Sequence, residues 1–301
     1  MSMTWKPALF AVGYFWFFIL CTLAVLAWEK RKKKRRTPFG NELKLLRSPG
    51  ETQLKQVLKF EENLLFHLAL VCGLPMGVIT LFLLGVKHLP GTAQLVGLVV
   101  TLIAFLAAYI VALRWFTRRL SENSNRYLGY FGERYVAEAL EPLKARGWRI
   151  FHDVPAMNNG HSFNLDHVAV GPGGVFCLET KTWRKGPALP GRKEHSVSFN
   201  GSDLEWPWGA DNAPLDQAER NASWLARWLK NNAEPAAVSP LLVLPGWWID
   251  LRPPSQTSRT TRVMNEKWLE KQLGSAEPIL GQKQIATIAT ALEKHCRDVE
   301  Y

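Results

Sequence analysis

The residues from Phe163 to Trp183, FNLDHVAVGPGGVFCLETKTW, hold two carboxylates, an amide and a lysine at spacings that can do chemistry together. Two β-rich runs flank Gly171-Pro172-Gly173-Gly174, which reads as a hairpin turn. A phosphate-cradling loop would need a helix behind it, and Val175–Leu178 is strand-like instead. With a four-residue turn, Val170 faces Val175, Asp166 falls opposite Glu179, and Asn164 falls opposite Lys181. Side chains alternate along a strand, so all four share one face. Two carboxylates directly across a ladder repel each other. A hard divalent cation such as Mg²⁺ removes that cost by taking carboxylate oxygens while keeping several waters. A metal so held lowers the pKa of a bound water, and Lys181 is placed to polarise that water or to neutralise charge on a phosphate. The same residues also suit a solvated strand face with Lys181 in a cross-strand ion pair, and the bare pattern leaves both readings open.

The surroundings add a resemblance. Gly129-Tyr-Phe-Gly132-Glu133 on a helix, the Asn164-x-Asp166-His-Val-x-Val-Gly-Pro-x-Gly-Val-Phe run and Glu179-Thr-Lys181 together resemble the NERD (nuclease-related) domain, over about residues 125–245. That family sits in the PD-(D/E)xK restriction-endonuclease-like superfamily. The resemblance implies an α/β fold, a restriction-endonuclease-like mixed central sheet flanked by helices, and Mg²⁺-dependent cleavage of phosphodiesters, with Mn²⁺ as a substitute. Carried over by position, it makes Asp166, Glu179 and Lys181 the core of a catalytic site. Glu133 becomes the helix carboxylate that joins Asp166 and Glu179 on the metal, and Gln217 in Pro214-Leu-Asp-Gln lines the site. Leu165 stands where the superfamily name has proline.

Positioning these residues takes a layered domain. Ser124 or Asn125 is expected to cap a helix running to about Ala145, with Leu128, Phe131, Tyr135, Val136, Ala139, Leu140 and Leu143 on its apolar face and Glu133 at the edge of that face. Trp148–Val154 reads as a strand, followed by a polar loop through Asn158-Asn159-Gly160. Asn200-Gly201 within Ser196–Leu204 is a hairpin signal. Pro214–Asn231 is an amphipathic helix, Leu241–Leu244 a buried strand, and Val263–Leu273 and Ile279–Cys296 read as closing helices. Trp206, Trp208, Trp247 and Trp248 are assigned to packing at the sheet edge rather than to base stacking. His167 points away from Asp166, and Cys177 is a core residue.

Three long apolar runs precede this domain. Pro7–Trp28 is uncharged and, as a helix of about 33 Å, covers a hydrocarbon core of about 30 Å. Its basic cluster follows rather than precedes it and no small-x-small cleavage site stands out, which favours a retained anchor over a cleaved signal. Leu64–Val86 carries a Gly73/Pro75/Gly77 cluster that predicts a kink, and Ala93–Leu113 is uncharged. The expected organisation is a membrane region over 1–120, with spans 7–28, 64–86 and 93–113, and a cytosolic domain over 121–301. Within the loop 29–63, Leu54, Val57 and Leu58 at helical spacing predict a short pre-span helix.

Charge position sets the orientation. The chain of 301 residues carries +11, an apparent invitation to nucleic acid. Loop 29–63 holds eleven of its Lys and Arg, seven of them in residues 30–36, whereas residues 114–301 carry 24 basic and 21 acidic side chains, a net of +3. The positive-inside rule puts this loop and the C-terminal domain in the cytosol and the N-terminus outside, in the inner or plasma membrane. The 30–36 cluster is read as a topology signal resting on anionic headgroups rather than as a DNA-holding arm. Asn200-Gly-Ser and Asn221-Ala-Ser are then chance sequons. Four scattered cysteines supply neither a disulfide framework nor a zinc site. The sequence therefore predicts a membrane-anchored nuclease with DNA favoured as substrate. The alternative is a catalytically weak nucleic-acid-binding or scaffold module on the same tether. Uncharged spans with no polar path argue against a transporter or channel.

Overall fold

The structure, a computed structural model, describes residues 6–34, 43–253 and 259–299. Arg35 and Arg36 of the basic cluster lie outside the described residues. By compactness the chain divides into two units, Met1–Gly40 with Gln56–Asn125, and Asn41–Lys55 with Arg126–Tyr301.

The first unit is helical. It contains α1 (Lys6–Lys34), most of α2 (Glu51–Glu62), α3 (Leu64–Val86) and the start of α4 (Gly91–Lys144). Among the described residues α3 and α4 are long and apolar enough to cross a membrane, whereas the apolar stretch in α1, Gly13–Glu29, is shorter. α3 continues as one helix through Pro75, since a freed backbone group does not by itself end a helix between apolar turns. α2 forms where the Leu54/Val57/Leu58 spacing predicts it, with Val57 buried.

The helix carrying Glu133 does not begin at Ser124 or Asn125. α4 runs unbroken from Gly91 to Lys144, so the apolar run and the Glu133 segment are one helix. Residues 114–128 contain neither Gly nor Pro. The few tenths of a kcal/mol that each Ser or Asn costs in a helix do not offset the hydrogen bonds lost by stopping there.

The second unit is a mixed α/β structure. Its main sheet has strand order β10-β8-β4-β3-β2, built from β2 (Arg149–Asn158), β3 (His161–Gly171), β4 (Gly174–Thr180), β8 (Val238–Val243) and β10 (Arg262–Met264). β2, β3 and β4 are antiparallel, and β4–β8 and β8–β10 are parallel. Beside it lies a small sheet of β5 (Ser196–Phe199), β6 (Leu204–Trp206), β7 (Gly209–Ala210) and β9 (Trp248–Leu251), in the order β7-β6-β5-β9. β1 (Leu45–Leu46) pairs with β11 (Arg297–Val299) as a separate ribbon. The remaining helices are α5 (Ala213–Asn232), α6 (Leu269–Gly274) and α7 (Gln282–His295).

Two expectations change here. The polar loop after Val154 is the end of a longer strand, because Asn159-Gly160 makes a two-residue turn between β2 and β3. Val263 and Met264 start no helix. They form β10, whose Met264 carbonyl accepts from Leu244 N–H, and helix resumes with a 3₁₀ turn over Glu266–Trp268 that leads into α6. Two buried apolar residues, Val263 and Met264, satisfy either period, and the open flank of β8 decides for strand.

The sheet is covered on both faces. Val168, Val170, Val175 and Cys177 pack on Leu225 and Leu229 of α5 and Ile288 and Leu292 of α7. Ala169, Phe176 and Leu178 pack on Val136, Leu140 and Leu143 of α4 and on Leu269 and Leu273 of α6. Each fully buried Leu contributes about 1.5–3 kcal/mol, which fixes α4 and α5 on opposite faces of β4. Trp206 and Trp247 are buried with Leu242, Leu244 and Val263, whereas Trp208 and Trp248 are exposed.

Candidate functional site

The hairpin register is the one read from the turn. Val170 faces Val175 and His167 faces Leu178, with Gly171 and Gly174 also paired, so the turn is Pro172-Gly173. Asp166 and Glu179 stand one step beyond the last of these pairs. There the ladder ends, and the Thr180 N–H donates to Asp166 Oδ2 at 2.6 Å. Lys181 leaves β3 altogether, its backbone N–H bonding the Val243 carbonyl.

Glu179 is 1% exposed. Its Oε1 accepts from Lys181 Nζ at 2.7 Å and its Oε2 from Asn221 Nδ2 at 2.8 Å. Lys181 Nζ also donates to Gln217 Oε1 at 3.0 Å. Gln217 and Asn221 are one turn apart on α5, so the helix presents both amides to the same pair. Glu133 comes from α4, buried, with Oε2 lacking a hydrogen-bond partner among the described residues and the Gly50 N–H bonding its carboxylate. Gly132 makes this approach possible. A Cβ there would overlap the Thr182 side chain, just past Lys181.

The electrostatics are those of an acidic cluster around Lys181. Burial raises Glu133 to about 8, helped by the charges of Asp153 and Glu179. Burial pushes Asp166 well above the usual carboxylate range, with Glu179 and Glu133 adding to the effect. Glu179 is also raised by burial, against the pull of Lys181 and Asn221. Burial alone would lower Lys181, but Glu179, Asp166 and Glu133 together hold it above its ordinary value. Among the described residues no three His, Cys, Asp or Glu side chains stand as a ready-made metal cage.

Asn164 does not join Lys181. Its Nδ2 donates to Thr52 Oγ1 at 2.6 Å and Asp153 Oδ1 at 3.1 Å, because β3 opposite this point is paired with β2, not β4. His167 turns to the other face and shares an Nδ1···Nδ1 contact of 2.8 Å with His152. Three residues near the site carried no signal that the sequence reading used. Asn221 was recoverable, one helical turn after Gln217. Asp153 and Arg47 were not, since neither belongs to a periodic pattern.

Residues 128–245 match the family model of NERD, the nuclease-related domain, which belongs to the restriction-endonuclease-like fold. The match contains Glu133, Asp166, Glu179, Lys181, Gln217 and Asn221 but not Arg47 or Gly50. No curated protein and no solved structure matches the chain.

Proposed function

We propose that this chain is a membrane-anchored, Mg²⁺-dependent nuclease that hydrolyses phosphodiester bonds of nucleic acid, DNA foremost, on the cytosolic side of the inner or plasma membrane. The observation that carries this reading is the set of three carboxylates, Glu133 and Glu179 buried and Asp166 half-buried, gathered around Lys181. Their oxygens suit a hard divalent cation, and Glu133 Oε2 is a buried acceptor with no donor among the described residues. Glu133, Asp166 and Glu179 would hold Mg²⁺, or Mn²⁺ in its place. The ion, when bound, supplies Lewis-acid stabilisation of phosphate charge and a more acidic water.

The chain's own groups do the rest. Lys181 is kept protonated by its acidic neighbours, so it acts as a hydrogen-bond donor to a phosphate oxygen and not as a base. Gln217 accepts from Lys181 and aims it, and Asn221 holds the far oxygen of Glu179. The anchor is supported by α3 and α4 and by the apolar run of α1, taken as three spans. The basic loop 29–63 supports a cytosolic domain and an outside N-terminus, with residues 30–36 on anionic headgroups.

The test uses the full chain in detergent with supercoiled plasmid, single-stranded DNA and RNA, in Mg²⁺ or Mn²⁺, beside Glu179→Ala and Lys181→Ala. Cleavage by the wild type that both variants and EDTA abolish supports the assignment. Equal cleavage in the variants overturns it. A second reading, a weakly catalytic nucleic-acid-binding module, is favoured by the engagement of both Glu179 oxygens with protein donors. It takes over if nucleic acid is bound but not cut under either metal.

A further inference from the structure

Asp153 is a fourth carboxylate beside this site, itself buried at 3% exposed. The pairs His152↔His167 and Val154↔Leu165 put it across from Asp166 on the neighbouring strand, where the ladder skips a pair. Its backbone φ is +47, a left-handed conformation that only a specific set of contacts holds in the middle of a strand. Those contacts come from Arg47, from Thr52 in the first turn of α2 and from Asn164 on β3. Asp153 Oδ2 accepts from Arg47 Nη1 at 2.8 Å, Thr52 Oγ1 at 2.7 Å and Thr52 N–H at 3.2 Å, and Oδ1 accepts from Asn164. Arg47 Nη1 also donates to the Asp153 carbonyl at 3.1 Å, and Nε and Nη2 fork onto Asp298 at 2.6 and 2.7 Å. Between Arg47 and Thr52, Gly50 takes φ +67 and lies against Tyr130, where a Cβ would meet ring and backbone. The segment is thus clamped to the site at three points, two on Asp153 and one on Glu133.

The chemistry of this arrangement is charge replacement. Two carboxylates on facing strands, with Glu133 and Glu179 beside them, are what a pair of divalent cations would compensate. Arg47 puts a permanent, planar cation on one of them, and every polar oxygen of Asp153 is already taken by protein donors. We propose that Arg47 is a positioning residue that stands in for a second metal ion: it occupies Asp153 and limits the site to one divalent cation. This rests on the metal-site reading of Glu133, Asp166 and Glu179, but not on cleavage. It assigns a function to residues 47–52, which lie outside the family match and far from it in sequence.

The test counts ions on the full chain in detergent by Mn²⁺ titration with electron paramagnetic resonance. About one ion per chain is expected for the wild type and about two for Arg47→Met, which takes the cation off Asp153 and leaves that charge for a second metal ion to compensate. Arg47→Lys should stay at one, and Asp153→Asn in the Arg47→Met background should return the count to one. Arg47→Gln keeps amide donors without charge, is the gentler variant for folding, and should also take a second ion. A folded Arg47→Gln or Arg47→Met that stays at one ion overturns the proposal. So does a loss of ion binding that Asp153→Asn does not restore, which marks a merely structural role. A wild type that binds no Mn²⁺ overturns both this proposal and the metal reading. A chain whose ion count follows Arg47 but which cuts no substrate keeps this inference and removes the nuclease.

Discussion

Asn221 Nδ2 donates to Glu179 Oε2 at 2.8 Å, so a glycosylation-like Asn-Ala-Ser triplet is spent on holding an acid of the candidate site. The side chain is buried, which leaves no room for a glycan. Asn221→Leu should remove a charge-assisted bond from a buried carboxylate, at a cost of about 1–3 kcal/mol. Urea denaturation of the detergent-solubilised chain measures this, and an unchanged midpoint would show that Glu179 does not depend on the amide.

Lys181→Met should lower plasmid cleavage by about a hundredfold or more, the range seen when a preorganised donor to developing charge is lost. Lys181→Arg keeps charge in a different shape and should recover only part of that loss. Initial rates in saturating Mg²⁺ separate the two, and equal rates for all three proteins would remove Lys181 from the chemistry.

Gly132→Ala should drive a Cβ into Thr182 and displace the end of β4, costing about 1–3 kcal/mol. Thr182→Gly in the same chain should recover most of it by opening the space. Thermal unfolding of the single and double variants reads the coupling, and an additive loss would mean the two residues are not in contact.

The His152–His167 pair makes stability depend on pH. Burial lowers His152 to about 4 and His167 well below its ordinary value. Between those values and the unfolded-state value of about 6.5, the unfolded chain binds more protons, so stability rises with pH. The contribution of the pair is present above about pH 6.5 and lost as pH falls toward 4. His152→Phe should flatten that part of a chemical-denaturation profile. A profile unchanged by the substitution would show the pair titrating normally.

What could be read in advance and what could not divide along physical lines. The hairpin of Asp166 and Glu179 was legible because strand alternation has period two and Pro172-Gly173 pins the register. Gln217 came from the family resemblance and lies where the helix pattern of residues 214–231 placed it. The unbroken α4 was missed because Ser and Asn favour caps only where a helix has another reason to stop. β10 was missed because three residues carry no period. Asp153 and Arg47 were beyond reach for a different reason. One depends on a backbone turn that no residue type announces, and the other meets its partner across 106 positions of sequence.

The fork between Arg47 and Asp298 spans 251 positions. At synthesis rates of about 5–20 residues per second, about 10–50 s separate the appearance of its two halves. The ribbon of β1 and β11 cannot close sooner, so during that interval Arg47 and Asp153 lack the anchor on Asp298. A chain that cuts nucleic acid would therefore spend most of its time beside the ribosome and its message with this clasp unfinished, and acquire it only as that neighbourhood is being left behind.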